Sequence, residues 1–164
     1  MTRLWAPWRM DYIKDPKSRE CIFCFKYNSN LEKENLVLFR GQFSFLLLNL
    51  YPYSNGHLMV APYDHTSDMG KIDKETASEI MLISNFSMGV LKNELKAEGF
   101  NFGANLGKVA GAGIEEHIHY HIVPRWAGDT NFMPVLGHTK VIMEGLLETW
   151  KNLKPYFNDS GKII

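Results

Sequence analysis

Three short apolar runs follow one another in the first half of the chain, over 36–40, 43–49 and 57–62. Each has strand length. The breaks between them carry turn chemistry, Gly41-Gln42 after the first and Tyr51-Pro52-Tyr53-Ser54-Asn55-Gly56 after the second. Strands this close in sequence favour an antiparallel meander. The period then changes. Ala77, Ile80, Met81, Met88, Leu91 and Leu95 fall at helical steps, broadened by Phe86 and Val90, which predicts a helix over 74–98. Asp73 is its N-cap and Gly99 its stop. A fourth strand is expected over 100–106, where Phe100, Phe102 and Ala104 alternate with Asn101, Gly103 and Asn105. A glycine-rich loop, 107–113, leads into a fifth strand over 117–123. A last helix is predicted over 140–153, ending before Pro155, with 158–164 a loose tail. The pattern is α+β: five strands and two main helices.

Length and charge narrow the function. The chain has 164 residues, enough for one domain, and we expect a single domain over 1–157 with 1–33 as an N-terminal segment. Lys+Arg and Asp+Glu are both 18, so no bulk charge draws the chain onto nucleic acid or an anionic membrane. The longest strongly apolar run, 43–50, is too short to span a bilayer. The N-terminus lacks the apolar stretch of a signal peptide. A cytoplasmic protein is the expectation. Trp5 and Trp8 are read as clamping the N-terminal segment to the domain, with base stacking as the rival.

The chemistry concentrates in the fifth strand. His117, His119 and His121 alternate with Ile118, Tyr120 and Ile122, so in a strand the three imidazoles share one face. The glycine loop just before them can turn backbone amides towards a phosphate. Upstream, Cys21-Ile22-Phe23-Cys24 is half of a tetrahedral zinc site, or a redox pair if it follows a strand and opens a helix. Neither neighbour of the motif suggests such a helix.

These residues resemble the histidine triad (HIT) family of nucleotidyl hydrolases and transferases, whose H-φ-H-φ-H-φ-φ signature His117–Val123 matches throughout. Leu47-Leu48-Asn49 followed by Gly56-His57-Leu58 is similar to the family's nucleoside-binding strand pair. Trp5-Ala6-Pro7-Trp8-Arg9, the cysteine pair and Val123-Pro124-Arg125-Trp126-x-Gly128-Asp129-x-Asn131-Phe132 resemble a prokaryotic branch that includes diadenosine tetraphosphate phosphorylases. The resemblance implies a five-stranded antiparallel sheet with two helices. It also implies a homodimer whose interface uses the last strand and the long helix.

It implies roles as well. His119 would attack the α-phosphorus of a purine nucleotide or dinucleoside polyphosphate, and His121 would stabilise the transferring phosphate. Asn49, His57 and Asn105 would lie near ribose or phosphate, and the amides of Gly111, Gly113 and Ile114 near the phosphate. Phe39, Phe43, Leu47 and Met59 would form an apolar wall for the base. Cys21, Cys24, His65 and His117 would hold a structural zinc. His138 is read as a surface residue. Where the family often has Ser or Thr before the triad, this chain has Ile114, Glu115 and Glu116. Three other readings stay open at this point: a phosphoramidate or monoester hydrolase of the same family, a catalytic metal held by three histidines, and a nucleotide-binding module with little turnover.

Overall fold

The computed structural model describes residues 21–129, 144–159, 161 and 163. The expectations for Trp5, Trp8, Asn131, Phe132, His138 and the stretch 140–143 lie outside them. In chain order the elements are α1 (Ile22–Asn28), β1 (Val37–Arg40), β2 (Ser44–Leu48), β3 (Leu58–Pro62), α2 (Lys74–Glu94), β4 (Gly99–Ala104), β5 (Tyr120–Arg125) and α3 (Leu146–Leu153). The strands form one antiparallel sheet in the order β1-β2-β3-β5-β4. The first three are the expected meander. The last strand among the described residues, β5, enters between β3 and β4 rather than at an edge. Among the described residues no helix is long and apolar enough to cross a membrane.

The sheet buries both faces. Leu38, Leu46, Leu48, Leu58, Val60 and Ile122 pack under α2 with Ile80, Ile83 and Leu91. Phe23, Val37, Phe45, Leu47, Met59 and Ala61 form a second cluster on the other face. Alternation would place Phe39 with Val37, but it packs with Leu46 on the α2 side. The cause is an irregularity in the ladder: Val37 pairs with Leu47 and Phe39 with Leu46, so two steps on β1 meet one on β2. Such a bulge reverses the parity of the strand beyond it. Phe39 is therefore corrected from the proposed base wall to the α2 core.

Helix α2 starts as expected, with the Asp73 carboxylate accepting from the Thr76 amide at 2.7 Å. It stops earlier than Gly99, because Lys96 takes a left-handed φ of 54°, which helices do not continue through. Gly99 instead begins β4. The buried stripe is also rotated from the apolar one, since Met81 is exposed while Thr76, Glu79, Ser84 and Ser87 are buried. Ser84 and Ser87 donate to the carbonyls of Ile80 and Ile83, each at 2.7 Å, so burial leaves neither hydroxyl unpaired. Glu79 reaches across to the β1–β2 turn. Its carboxylate accepts from the amides of Gln42, Phe43 and Ser44 and from the Ser44 hydroxyl.

The β1 edge is covered by the C-terminal elements. The Trp150 indole donates to the Val37 carbonyl at 2.9 Å and Lys154 to that of Leu38 at 2.9 Å. Capping of this kind blocks pairing with another chain. The opposite edge, β4, carries the exposed Phe102.

Candidate active site and metal site

Of the triad only His121 lies within the paired strand, which begins at Tyr120, and His117 sits in a bend before it. The expected strand start at His117 fails because the Ile118 amide leaves the ladder and donates to the Thr66 carbonyl at 2.7 Å. Across the sheet, Val37, Leu47, Met59, His121 and Gly103 form one row. Leu47 and Met59 thus sit on the histidine face, as the alternation predicts. Phe43 lies half-buried in the β1–β2 turn.

Each ring has a partner that fixes its tautomer, because a carbonyl can only accept and a backbone amide can only donate. His119 Nδ1 is 2.8 Å from the His117 carbonyl, so Nδ1 carries the proton and Nε2 the lone pair. The residue is 6% exposed. Burial lowers its pKa and the carbonyl bond opposes that shift, so the neutral, nucleophilic form prevails near pH 7.

His121 is set by a chain of donors. The Tyr53 amide donates to His57 Nδ1 at 3.0 Å, which leaves the proton on His57 Nε2. That N–H donates to His121 Nδ1 at 2.9 Å. His121 must then carry its own proton on Nε2, as a donor. Asn49 adds a second contact, Nδ2 to His57 Nδ1 at 3.3 Å, while its oxygen accepts from the Tyr51 amide. Burial, and the adjacent His119, lower the His121 pKa to about 4. Gly56 delivers His57 through a left-handed φ of 70°, which favours glycine, and an added Cβ would lie 2.4 Å from Leu95 Cδ1 and have to push that methyl aside.

His117 presents its other nitrogen. Its Nε2 donates to the Pro62 carbonyl at 2.9 Å, so its Nδ1 lone pair points to sulfur. Cys21 Sγ is 3.3 Å and Cys24 Sγ 3.6 Å from it, and Cys24 Sγ is 3.4 Å from His65 Nδ1. All four ligand atoms lie within 4.8 Å of one another. Sulfur and nitrogen bound to one tetrahedral zinc are about 3.5 Å apart, so this set fits zinc. The two sulfurs meet because α1 opens at Cys21, its N-cap, and places Cys24 one turn later. This helix was not expected from the sequence. Burial and the neighbouring Cys21 raise the Cys24 pKa; a divalent cation would reverse that effect and hold both thiolates.

The HIT domain profile matches residues 30–128, more than half of the chain. This chain belongs to the HIT family. The AP-4-A phosphorylase of Mycobacterium tuberculosis (strain ATCC 25618 / H37Rv) is 40% identical over 157 residues, 91% of this chain and 80% of that protein. A hypothetical histidine triad nucleotide-binding protein of Sulfolobus tokodaii strain7 has a TM-score of 0.65 at 27% identity, covering 83% of this chain and 91% of its own. A Zn-bound histidine triad family protein of Mycobacterium smegmatis has the same fold, with a TM-score of 0.65 at 24% identity over 84% of this chain and 92% of its own.

The glycine loop of this HIT chain is partly closed on itself. Gly107 and Gly111 have φ of 81° and 89° and flank a 3-10 turn, Lys108–Ala110. The Gly111 amide donates to the Lys108 carbonyl at 2.9 Å and Ala112 to Gly107 at 3.3 Å. Gly111 is therefore corrected as a phosphate donor, since its N–H is spent within the turn. Among the described residues, no acceptor takes the amides of Gly113 and Ile114. Asn105 sits beside this loop, its Nδ2 at 4.0 Å from where a Gly111 Cβ would stand. An open hollow of about 550 Å³ next to it is lined by Ser67, Gly107, Gly113, Glu115 and Glu116. After β5, Arg125 forms a bidentate pair with Asp129 at 2.5 and 2.9 Å, and Trp126 Nε1 donates to the Leu95 carbonyl at 3.0 Å. The Pro-Arg-Trp motif thus ties β5 to the end of α2. Sequence reasoning missed two aromatic neighbours of the triad. Phe23 packs on His117 and His119, and Tyr53 on His57 and His121. Their only sequence signal was adjacency, to the cysteine pair and to Gly56-His57.

Proposed function

We propose that this chain cleaves a dinucleoside polyphosphate, such as diadenosine tetraphosphate, through a nucleotide linked covalently to His119. The observation that carries this reading is the fixed pair of tautomers: His119 presents a lone pair at Nε2 while its neighbour His121 presents an N–H. A nucleophile beside a neutral donor suits attack on a phosphodiester anion, since neither ring needs to shed a proton first. The name of the M. tuberculosis relative supplies the substrate class.

In the first step His119 Nε2 attacks the α-phosphorus. An N–P bond forms, and the bond from phosphorus to the bridging oxygen breaks with its electron pair on the departing nucleotide. That leaving group is a phosphate anion and requires no proton. His121 Nε2–H donates to a non-bridging oxygen, where charge accumulates, and the amides of Gly113 and Ile114 are suited to add donors. Asn105 and Asn49 stand on the nucleotide side, whereas Leu47 and Met59 are buried beneath Phe23 and Phe45 and back the site rather than meet the base. In the second step inorganic phosphate or water attacks phosphorus and the N–P bond breaks. Phosphate gives ADP plus ATP from diadenosine tetraphosphate, and water gives AMP plus ATP.

Cys21, Cys24, His65 and His117 would hold zinc in a closed set with no position left for substrate, which supplies structure rather than water activation. The M. smegmatis structure, described as Zn-bound, supports this, and a cytoplasmic location keeps both thiols reduced. The last described strand, β5, pairs on both sides and offers no edge to a partner, so a homodimer would use the edge strand β4 with α2, where Phe102, Met81 and Leu82 are exposed.

Diadenosine tetraphosphate carrying a radioactive α-phosphate tests the reading. Acid-labile label should appear on the wild-type chain and not on His119→Asn, and phosphate should direct products to ADP plus ATP. Labelling and turnover undiminished in His119→Asn would overturn it.

A further inference from the structure

The nucleophile and the metal-ligand set share one aromatic ring. Phe23 lies between Cys21 and Cys24 on α1 and is 1% exposed. Its centroid is 4.7 Å from that of His119, at an interplanar angle of 32°, and 5.1 Å from that of His117. Phe45 backs it at 6.5 Å in an edge-on contact. Among the described residues His119 has one hydrogen bond to fix it, from Nδ1 to the His117 carbonyl. One such bond stops the ring from flipping but leaves a swing about χ1, and a flat ring packed on its face removes that freedom.

Phe23 depends in turn on α1. This helix has seven residues and no side-chain cap at its start, too short to hold its own shape. Its far end is anchored by Arg40, which donates to the carbonyls of Lys26, Tyr27 and Ser29. Its near end is anchored by the two sulfurs against His65 and His117. Removing the metal would take away the sulfur anchor at the end that carries Phe23, leaving it only its packing on Phe45, and would leave the Arg40 end in place.

We infer that Phe23 is a positioning residue for the nucleophile, through which occupancy of the Cys21–Cys24–His65–His117 set governs the placement of the His119 ring. The inference rests on the reading of His119 as nucleophile. A closed metal site thereby bears on catalysis without touching substrate, and loss of metal slows the first chemical step.

The test uses the full zinc-loaded chain, the same chain after chelation, and Phe23→Leu. The His119 Nδ1–H resonance reports the ring directly, and the His57 Nε2–H resonance, which Phe23 does not touch, is the internal control. In Phe23→Leu, as in the chelated wild type, exchange of the His119 proton with water should quicken about tenfold, and adduct formation should slow about tenfold while KM changes less than about twofold. Chelating Phe23→Leu should add less than about a further twofold. Unchanged exchange and adduct rates in Phe23→Leu would overturn the inference, as would an equal effect of chelation in both proteins. Should Phe23→Leu not fold, cross-relaxation between the Phe23 and His119 ring protons in the wild type decides. Its loss on chelation together with the slower step supports the inference, and its persistence while the step slows overturns it. A wild type that forms no adduct at all refutes the nucleophile reading instead.

Discussion

The two ends of the histidine row are held by different means. At one end His117 turns its Nδ1 lone pair onto two sulfurs, in a set with His65 whose spacing fits a cation. At the other end His121 is oriented by a run of N–H donors, from Tyr53 through His57, that needs nothing from outside the chain. Both ends fix a tautomer, and both leave the ring neutral. They differ in what can undo them. The sulfur end responds to chelators, oxidants and acid. The relay end responds to substitution and to protonation of a buried ring. His119 lies between them and takes its own proton position from the backbone, which neither disturbance alters directly.

Removing the metal should produce the largest change. Cys24→Ala should abolish stoichiometric zinc and, at free zinc a thousandfold above Kd, forfeit about 4 kcal/mol of stability, a Tm fall of about 8–16 °C by calorimetry. An unchanged Tm with zinc still bound would mean that the two ends are held alike. Breaking the relay should cost less stability and more rate. His57→Asn should lower kcat about tenfold, the scale of one orienting hydrogen bond of about 1.4 kcal/mol, with zinc content intact. A kcat that follows zinc content instead would erase the distinction.

Acid sharpens the comparison at the relay end. The folded His121 pKa, about 4, lies below its ordinary value of 6.5. The unfolded chain therefore binds the proton first as pH falls, and stability should decline between about 6.5 and about 4 and then level off. Tm against pH should show this slope in the wild type and a flatter one in His121→Asn. The smallest effect belongs to the hollow beside the glycine loop. Glu115→Gln and Glu116→Gln should lower KM for a polyphosphate about twofold at low salt and not at high salt, because both carboxylates are exposed and screened.

Much of this arrangement was legible in the residues. The meander, the α2 start at Asp73 and the shared histidine face follow from period and capping alone. The membership of His65 and His117 in one cluster with the cysteines came from resemblance, since they lie far from Cys21 in sequence. Other features follow from tertiary contacts that no local pattern reports. Phe39 changed faces because of a bulge, and alternation carries no sign of an inserted step. Helix α1 was hidden because seven residues without a cap show no usable period. The rotated stripe of α2 was hidden because Ser84 and Ser87 satisfy their hydroxyls on their own helix and so pass as apolar. The His57 relay needed the fold to bring residues 57 and 121 together.

The span of the metal cluster sets an order of events in folding. Cys21 and His117 are 96 positions apart, and Cys24 and His65 are 41 apart. The unfolded chain offers an ion one local pair of sulfurs, and the histidines join only after long loops have closed. The full ligand set thus exists only once β3 and the triad segment have come together and α1 has docked on them. Tight metal capture should then be among the last steps, at a rate set by chain topology rather than by the ion, and its appearance in a refolding experiment would mark the arrival of a finished active site.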